Sequence, residues 1–252
     1  MEKKEHIPMP NHHTQNCFNE NPFQTLTVNW YENYKRHVAK EQMYIWYASY
    51  GSNMWKDRFM CYIQGGQVES MKAKCLGARN KTPPVDTSWI QVQNEIFFGH
   101  SYTQTWGQGG VAFLDTQPTA GTSTHIHLYK ITLDQFNDLF LQENRIISYD
   151  QDLINKPCFL QALTQKSSAS IANTILKESW YGTIVHLGEK DGLPMLTFTC
   201  SDQDLKKFKS GLLPKCPPSK AYQEAVARGL IEDLGLSKEV ATTYVLSKCL
   251  TP

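Results

Sequence analysis

Nowhere do the 252 residues reach the roughly 18 consecutive apolar positions needed to cross a bilayer. The opening stretch MEKKEHIPMPNHHTQNCFNENPF carries charge but never enters the apolar segment of a cleaved secretion signal. A soluble, cytoplasmic protein is expected, with no membrane partner. Net charge is lacking as well. Lys and Arg number 25 against 24 Asp and Glu, leaving +1, so no global field exists to hold a polyanion and no local basic patch stands out. Nucleic acid is therefore not expected, and a small or neutral partner is. The seven cysteines (Cys17, Cys61, Cys75, Cys158, Cys200, Cys216, Cys249) are odd in number and scattered, without a C-x-x-C pair or zinc-site spacing, which fits a reducing compartment. There is no internal repeat and no G-x-S-x-G nucleophile elbow. What is present is ordinary: 40% hydrophobic residues, 15 Gly and 12 Pro exclude collagen-like, coiled-coil and largely disordered chains. The length suits one packed domain, or one domain plus a sizeable appendage, around a single core.

Residues 1–43 read as an amino-terminal arm, polar and proline-bearing at first, with a helix candidate in NWYENYKRHVAK. MYIWYASY, aromatic and β-branched, reads as a buried strand ending at Gly51; Ser52 is the expected N-cap of a helix over MWKDRFMCYI, closed by Gly65-Gly66. From Gly65 to about Gln93, around Pro83-Pro84, a long irregular excursion is expected. Strands follow at EIFFGH, GVAFL and THIHLYKI, with a turn-rich stretch from Thr103 to Gly110 between the first two. TLDQFNDLFLQEN is a helix opened by a T-x-x-Q capping box, Thr132 with Gln135, and carrying one apolar stripe, Phe136, Leu139 and Phe140. SASIANTILKE reads as helical; YGTIVHL and LPMLTFT form a hairpin through Glu189 to Gly192. Ser201, Ser219 and Ser237 each cap a short helix near the carboxyl end. The domain is expected over residues 44–235, with a helical tail at 236–252. Short strands interleaved with helices, without βαβ alternation, give an α+β class whose mixed, largely antiparallel sheet curls into a small β-barrel flanked by helices.

Two places invite chemistry. Glu143 lies seven residues after Phe136, four after Leu139 and three after Phe140, so it continues the apolar stripe into the last helical turn. Desolvation and the helix dipole both push such a carboxyl group's pKa upward, which suits a proton shuttle near neutrality. Tyr50-Gly51-Ser52-Asn53 joins a buried strand to a helix start, where backbone N–H groups can converge on a carboxylate or oxyanion. Trp106 to Gly110 could cover a ligand or simply make a tight connection. His125 and His127 share a strand face, but no third ligand stands at a metal-site spacing, and no metal is expected.

Taken in order, WYASYGSNM, QTWGQGGVAFL, FNDLFLQEN and PPSKAYQEAVARGL resemble the motifs of the γ-glutamylcyclotransferase family: Y-G-S-N after the first strand, TW-x-GG before a later one, Q-E closing a helix, and P-P-S-x-x-Y with glycine seven residues on. The resemblance runs from about Tyr44 to Gly235. It implies an acyl transfer without cofactor, in which the α-amine of a γ-glutamyl group attacks its own γ-carbonyl, closing 5-oxoproline and releasing an amine. Glu143 would be catalytic; Tyr50, Gly51, Ser52, Asn53, Trp106, Gly110 and Tyr222 would contact a small γ-glutamyl substrate or a γ-glutamyl-lysine isopeptide. The alternatives are a hydrolase or other acyl-transfer enzyme on the same scaffold, and a noncatalytic binding or regulatory protein. The sequence departs from the family pattern at Asn144, where glycine is expected, and in an insert around Ser167 to Glu178; both bear on substrate choice more than on fold.

Overall fold

Strand formation follows the β-branched and aromatic runs. In the computed structural model, which describes residues 43–146 and 171–249, six strands hydrogen-bond into one sheet. In chain order the elements are β1 (Tyr44–Ser49), α1 (Lys56–Gln64), β2 (Asp86–Val92), β3 (Asn94–Gly99), β4 (Tyr102–Thr103), β5 (Gly107–Gln108), β6 (Val111–Pro118), β7 (Thr124–Thr132), α2 (Leu133–Glu143), β8 (Ile171–Thr174), β9 (Thr183–Lys190), β10 (Leu193–Thr199), α3 (Asp202–Lys209), α4 (Lys220–Arg228) and α5 (Lys238–Cys249). The main sheet runs β2-β7-β1-β10-β9-β8, while β3-β6 and β4-β5 are two-stranded ribbons. β1 lies antiparallel to β7 and parallel to β10, so the sheet is mixed and the fold α+β. The Thr199 hydroxyl clips the β3-β6 ribbon to β10 by donating to the Leu114 carbonyl at 2.8 Å while accepting from the Leu114 N–H at 3.0 Å. The expected helix over residues 29–40 lies outside the described residues. No helix among those described is long and apolar enough to cross a membrane.

Local chemistry fixes several boundaries. Thr132 and Gln135 make the reciprocal capping box at the start of α2, whose Phe136, Leu139 and Phe140 are fully buried. Burial of each such side chain contributes about 1.5–3 kcal/mol, enough to seat the helix firmly. Ser201, Ser219 and Ser237 accept hydrogen bonds from the N–H groups of Asp204, Tyr222 and Val240 and so start α3, α4 and α5.

Three expectations are corrected. Ser52 does not cap α1. Residues Ser52–Met54 form a separate 3-10 turn, and α1 begins at Lys56 after the extended Trp55. The excursion after Gly65 contains a full strand: β2 pairs with β7 along its whole length, Asp86 opposite Lys130 through Val92 opposite Thr124. Residues 171–174, expected as helix, are strand β8. Ile-Ala-Asn-Thr is too short to nucleate a helix, and pairing with β9 gives it a ladder, reinforced by the Thr174 and Thr183 hydroxyls at 2.9 Å. A turn then occupies residues 177–180.

Candidate active site

β1 ends where its chain must turn back under α4, and the turn is Tyr50-Gly51-Ser52-Asn53. Tyr50, Ser52 and Asn53 are buried. The Tyr50 hydroxyl donates to the Phe198 carbonyl at 2.8 Å, and the Tyr129 hydroxyl donates to the Asn53 carbonyl at 2.9 Å. The loop is therefore bolted to β10 and β7. Gly51 is required because a Cβ there would stand 2.6 Å from the Tyr222 hydroxyl.

This loop and, through Glu143, the end of α2 both line a cavity of about 360 Å³. The Asn53 side-chain amide joins the two, donating to Glu143 Oε1 and to the Tyr47 hydroxyl, each at 3.0 Å. Burial raises the Glu143 pKa above the ordinary carboxylate value; the Arg58 charge and hydrogen bonds from Tyr62 and Asn53 pull the other way without cancelling it. Asn53 Oδ1 is buried with no hydrogen-bond partner among the described residues, and so is Arg58 Nε.

Of the residues singled out in the sequence, Tyr50, Gly51, Ser52, Asn53, Trp106, Glu143 and Tyr222 all line this cavity. Gly110 does not. It bonds through its N–H to the Pro217 carbonyl at 3.0 Å, and a Cβ would run into the Cys216 carbonyl, so its smallness lets the chain leading to α4 pass close by and set Tyr222 in place. His127 is likewise structural: its Nδ1 meets the Met54 carbonyl at 2.7 Å, its ring stacks on Trp89, and burial lowers its pKa to about 4. His125 packs edge-on against Tyr244. Among the described residues no three His, Cys, Asp or Glu side chains are grouped to hold a metal ion.

Arg58 was not anticipated. It is 3% exposed, lies over the Tyr62 ring at 4.3 Å, and donates to Cys75 Sγ at 3.5 Å. Burial alone would lower its pKa, but Tyr62, Cys75 and Glu143 together hold it above the ordinary arginine value, so it is a permanent cation beside the carboxyl group. The sequence signal existed: Trp55, Arg58, Phe59 and Tyr62 follow the i, i+3, i+4, i+7 spacing of one helix face. Asn144 was noted only as a departure. Its side chain donates to the carbonyls of Phe140 (2.9 Å) and Tyr181 (3.2 Å) and accepts from the Tyr181 N–H at 3.3 Å. It ties the residue after Glu143 to the segment whose Glu178, Ser179, Trp180 and Tyr181 complete the cavity wall. Trp180 stacks on His100 at 3.7 Å, and the Tyr181 hydroxyl donates to the Ala112 carbonyl at 2.9 Å.

No family model matches the chain. Histone deacetylase 5 of Arabidopsis thaliana is 46% identical over 203 residues, covering 80% of this chain and 30% of that protein. The chain thus spans about 30% of the length of this curated relative. Among solved structures, a γ-glutamyl cyclotransferase aligns with TM-score 0.43 and 14% identity, over 81% of this chain and 87% of the other. An uncharacterized protein from Homo sapiens aligns with TM-score 0.43 and 15% identity, over 82% and 88%.

Proposed function

We propose that this chain is a γ-glutamylcyclotransferase-type enzyme that closes the γ-glutamyl group of an amide to 5-oxoproline and releases the attached amine. One observation carries the reading: a buried carboxyl group, Glu143, lines the same small-molecule cavity as the strand-to-helix loop and is joined to that loop by Asn53 at 3.0 Å. The four ordered motifs support it.

In this mechanism the substrate's α-ammonium enters beside Glu143, near the unpaired Asn53 Oδ1. The Glu143 carboxylate takes a proton, and the freed amine attacks the γ-carbonyl carbon. A C–N bond forms as the carbonyl π pair moves to oxygen. In the tetrahedral intermediate the ring nitrogen gives up its second proton to the leaving nitrogen; the bond to that nitrogen then breaks as the carbonyl re-forms, and Glu143 returns the proton it took, so that the amine departs as its ammonium and the lactam keeps one N–H. Nucleophile and electrophile belong to one molecule, so orientation supplies much of the acceleration. Arg58 holds the carboxyl pKa lower than burial alone would set it.

The test is incubation of the full chain with γ-glutamyl amino acids, glutathione, γ-glutamyl-ε-lysine and, because of the name its longer relative carries, an acetyl-lysine peptide. 5-Oxoproline is followed by mass, with Glu143→Gln as control. Release of 5-oxoproline by the native chain and its loss in Glu143→Gln support the reading. Glutamate in place of 5-oxoproline identifies a hydrolase, and equal behaviour of both proteins removes Glu143 from the chemistry.

A further inference from the structure

Cyclisation places a negative charge on the γ-carbonyl oxygen, and a donor must meet it. The loop after β1 is one source, and of its N–H groups that of Ser52 is engaged by the Tyr222 hydroxyl at 3.4 Å. The same oxygen accepts from the Ala112 N–H at 3.2 Å. Resting on the cyclotransferase reading, we propose that Tyr222 is a catalytic residue: its phenolic O–H donates to the oxyanion, and the Ser52 and Ala112 amides act through it.

Besides two backbone amides, the phenol's polar neighbour is the Ser52 hydroxyl, which also hydrogen-bonds with it. The phenol oxygen has two lone pairs, both facing backbone donors, so its single proton is directed away from them. Tyr222 is 4% exposed and lines the cavity that holds Glu143. A phenol that accepts two N–H bonds is polarised, and its own O–H becomes a stronger donor. Ser52 is the neighbouring cavity hydroxyl and completes the polar corner. The ring is held for this purpose by edge contacts with Trp106 at 5.4 Å and Phe98 at 6.1 Å. The absent side chain of Gly51 supplies the space, since a Cβ would displace the hydroxyl. In the step itself the α-amine nitrogen bonds to the γ-carbon and the π pair goes to oxygen, where it accepts the Tyr222 hydrogen bond. When the carbonyl re-forms, the C–N bond to the leaving amine breaks, and the tyrosine keeps its proton throughout.

The experiment compares the native chain, Tyr222→Phe and chains carrying ring-fluorinated tyrosine at position 222, using the γ-glutamyl amide most rapidly turned over by the native chain. Loss of one oxyanion donor lowers kcat by about 10²–10³-fold, so Tyr222→Phe is expected to fall by that factor with KM nearly unchanged. Fluorination, which acidifies the phenol without removing it, raises kcat at pH values where the phenol stays protonated. A purely structural tyrosine would show no response to ring acidity. The proposal is overturned if Tyr222→Phe keeps kcat within a few-fold of native, if its loss lies wholly in KM, or if fluorination leaves kcat unchanged. Should Tyr222→Phe fail to fold, the fluorinated series decides alone. A native chain inactive on every γ-glutamyl amide overturns the cyclotransferase reading and this role with it, whereas an active native chain with indifferent Tyr222 variants overturns only the latter.

Discussion

Gly51→Ala tests the contact on which the cavity corner depends. With φ at −118° the backbone is not in the left-handed region, so the cost arises from the new methyl group and Tyr222. A Cβ 2.6 Å from the hydroxyl must be relieved by a shift of about 0.8 Å to reach ordinary contact near 3.4 Å. Moved that far away, an oxygen now 3.4 Å from Ser52 N and 3.2 Å from Ala112 N loses both bonds. Overpacking, at about 1–3 kcal/mol, and two buried N–H groups left without a partner, at about 1–3 kcal/mol each, together cost at least about 3 kcal/mol. In a Tyr222→Phe background the obstructing oxygen is gone and both amides are already unpaired, so the same substitution should cost about 1 kcal/mol. The entropic gain of Gly→Ala, about 0.4–1 kcal/mol, occurs in both backgrounds and cancels. Urea denaturation of the four proteins, followed by tryptophan fluorescence, measures the cycle. A coupling energy below about 0.5 kcal/mol means the two sites are independent and refutes the reasoning.

Glu143→Gln should alter how stability depends on pH. Burial raises the Glu143 pKa in the fold, so its favourable contribution is complete below the unfolded carboxyl value and is lost as pH rises through the folded value. Native stability minus variant stability should therefore decline across that window in denaturation at stepped pH; a constant or rising difference contradicts the burial argument. Arg58→Met removes the cation that restrains that pKa, so the acidic limb of the kcat profile should move to higher pH, and an unmoved limb would show that Arg58 does not act on Glu143. Asn144→Gly removes three hydrogen bonds; with each worth about 1 kcal/mol, hydrogen exchange at the Tyr181 amide should quicken by one to two orders of magnitude, about tenfold per 1.4 kcal/mol, and unchanged protection would mean the segment is held by its aromatic contacts alone.

How much of this was legible follows from how local each signal is. The capping box at Thr132, the serine caps and the β9-β10 hairpin involve residues within a few positions of one another, and sequence spacing is sufficient to find them. β2 was missed because Asp-Thr-Ser-Trp-Ile-Gln-Val follows two prolines and is only partly buried, so its strand character comes from its partner β7. β8 failed for the same reason, being short and defined by β9. Glu143 was found by noticing a charge on an apolar stripe. Arg58 obeys the same rule on α1, but arginine on a helix is ordinarily solvated, so the spacing alone does not mark it. Long-range geometry was not readable: nothing in the sequence says that the Tyr222 oxygen sits on the loop 170 residues earlier, or that Asn144 holds Tyr181.

The cavity draws its parts from the loop at Gly51, the helix end at Glu143 and the tyrosine at 222, with β1 and β10 joined side by side in parallel. Synthesis must therefore proceed past Tyr222 before the pocket closes. Nascent chains that end before Tyr222 carry the carboxyl group without its full surroundings, and a break between β10 and α4 separates the last cavity wall from a sheet that is otherwise complete.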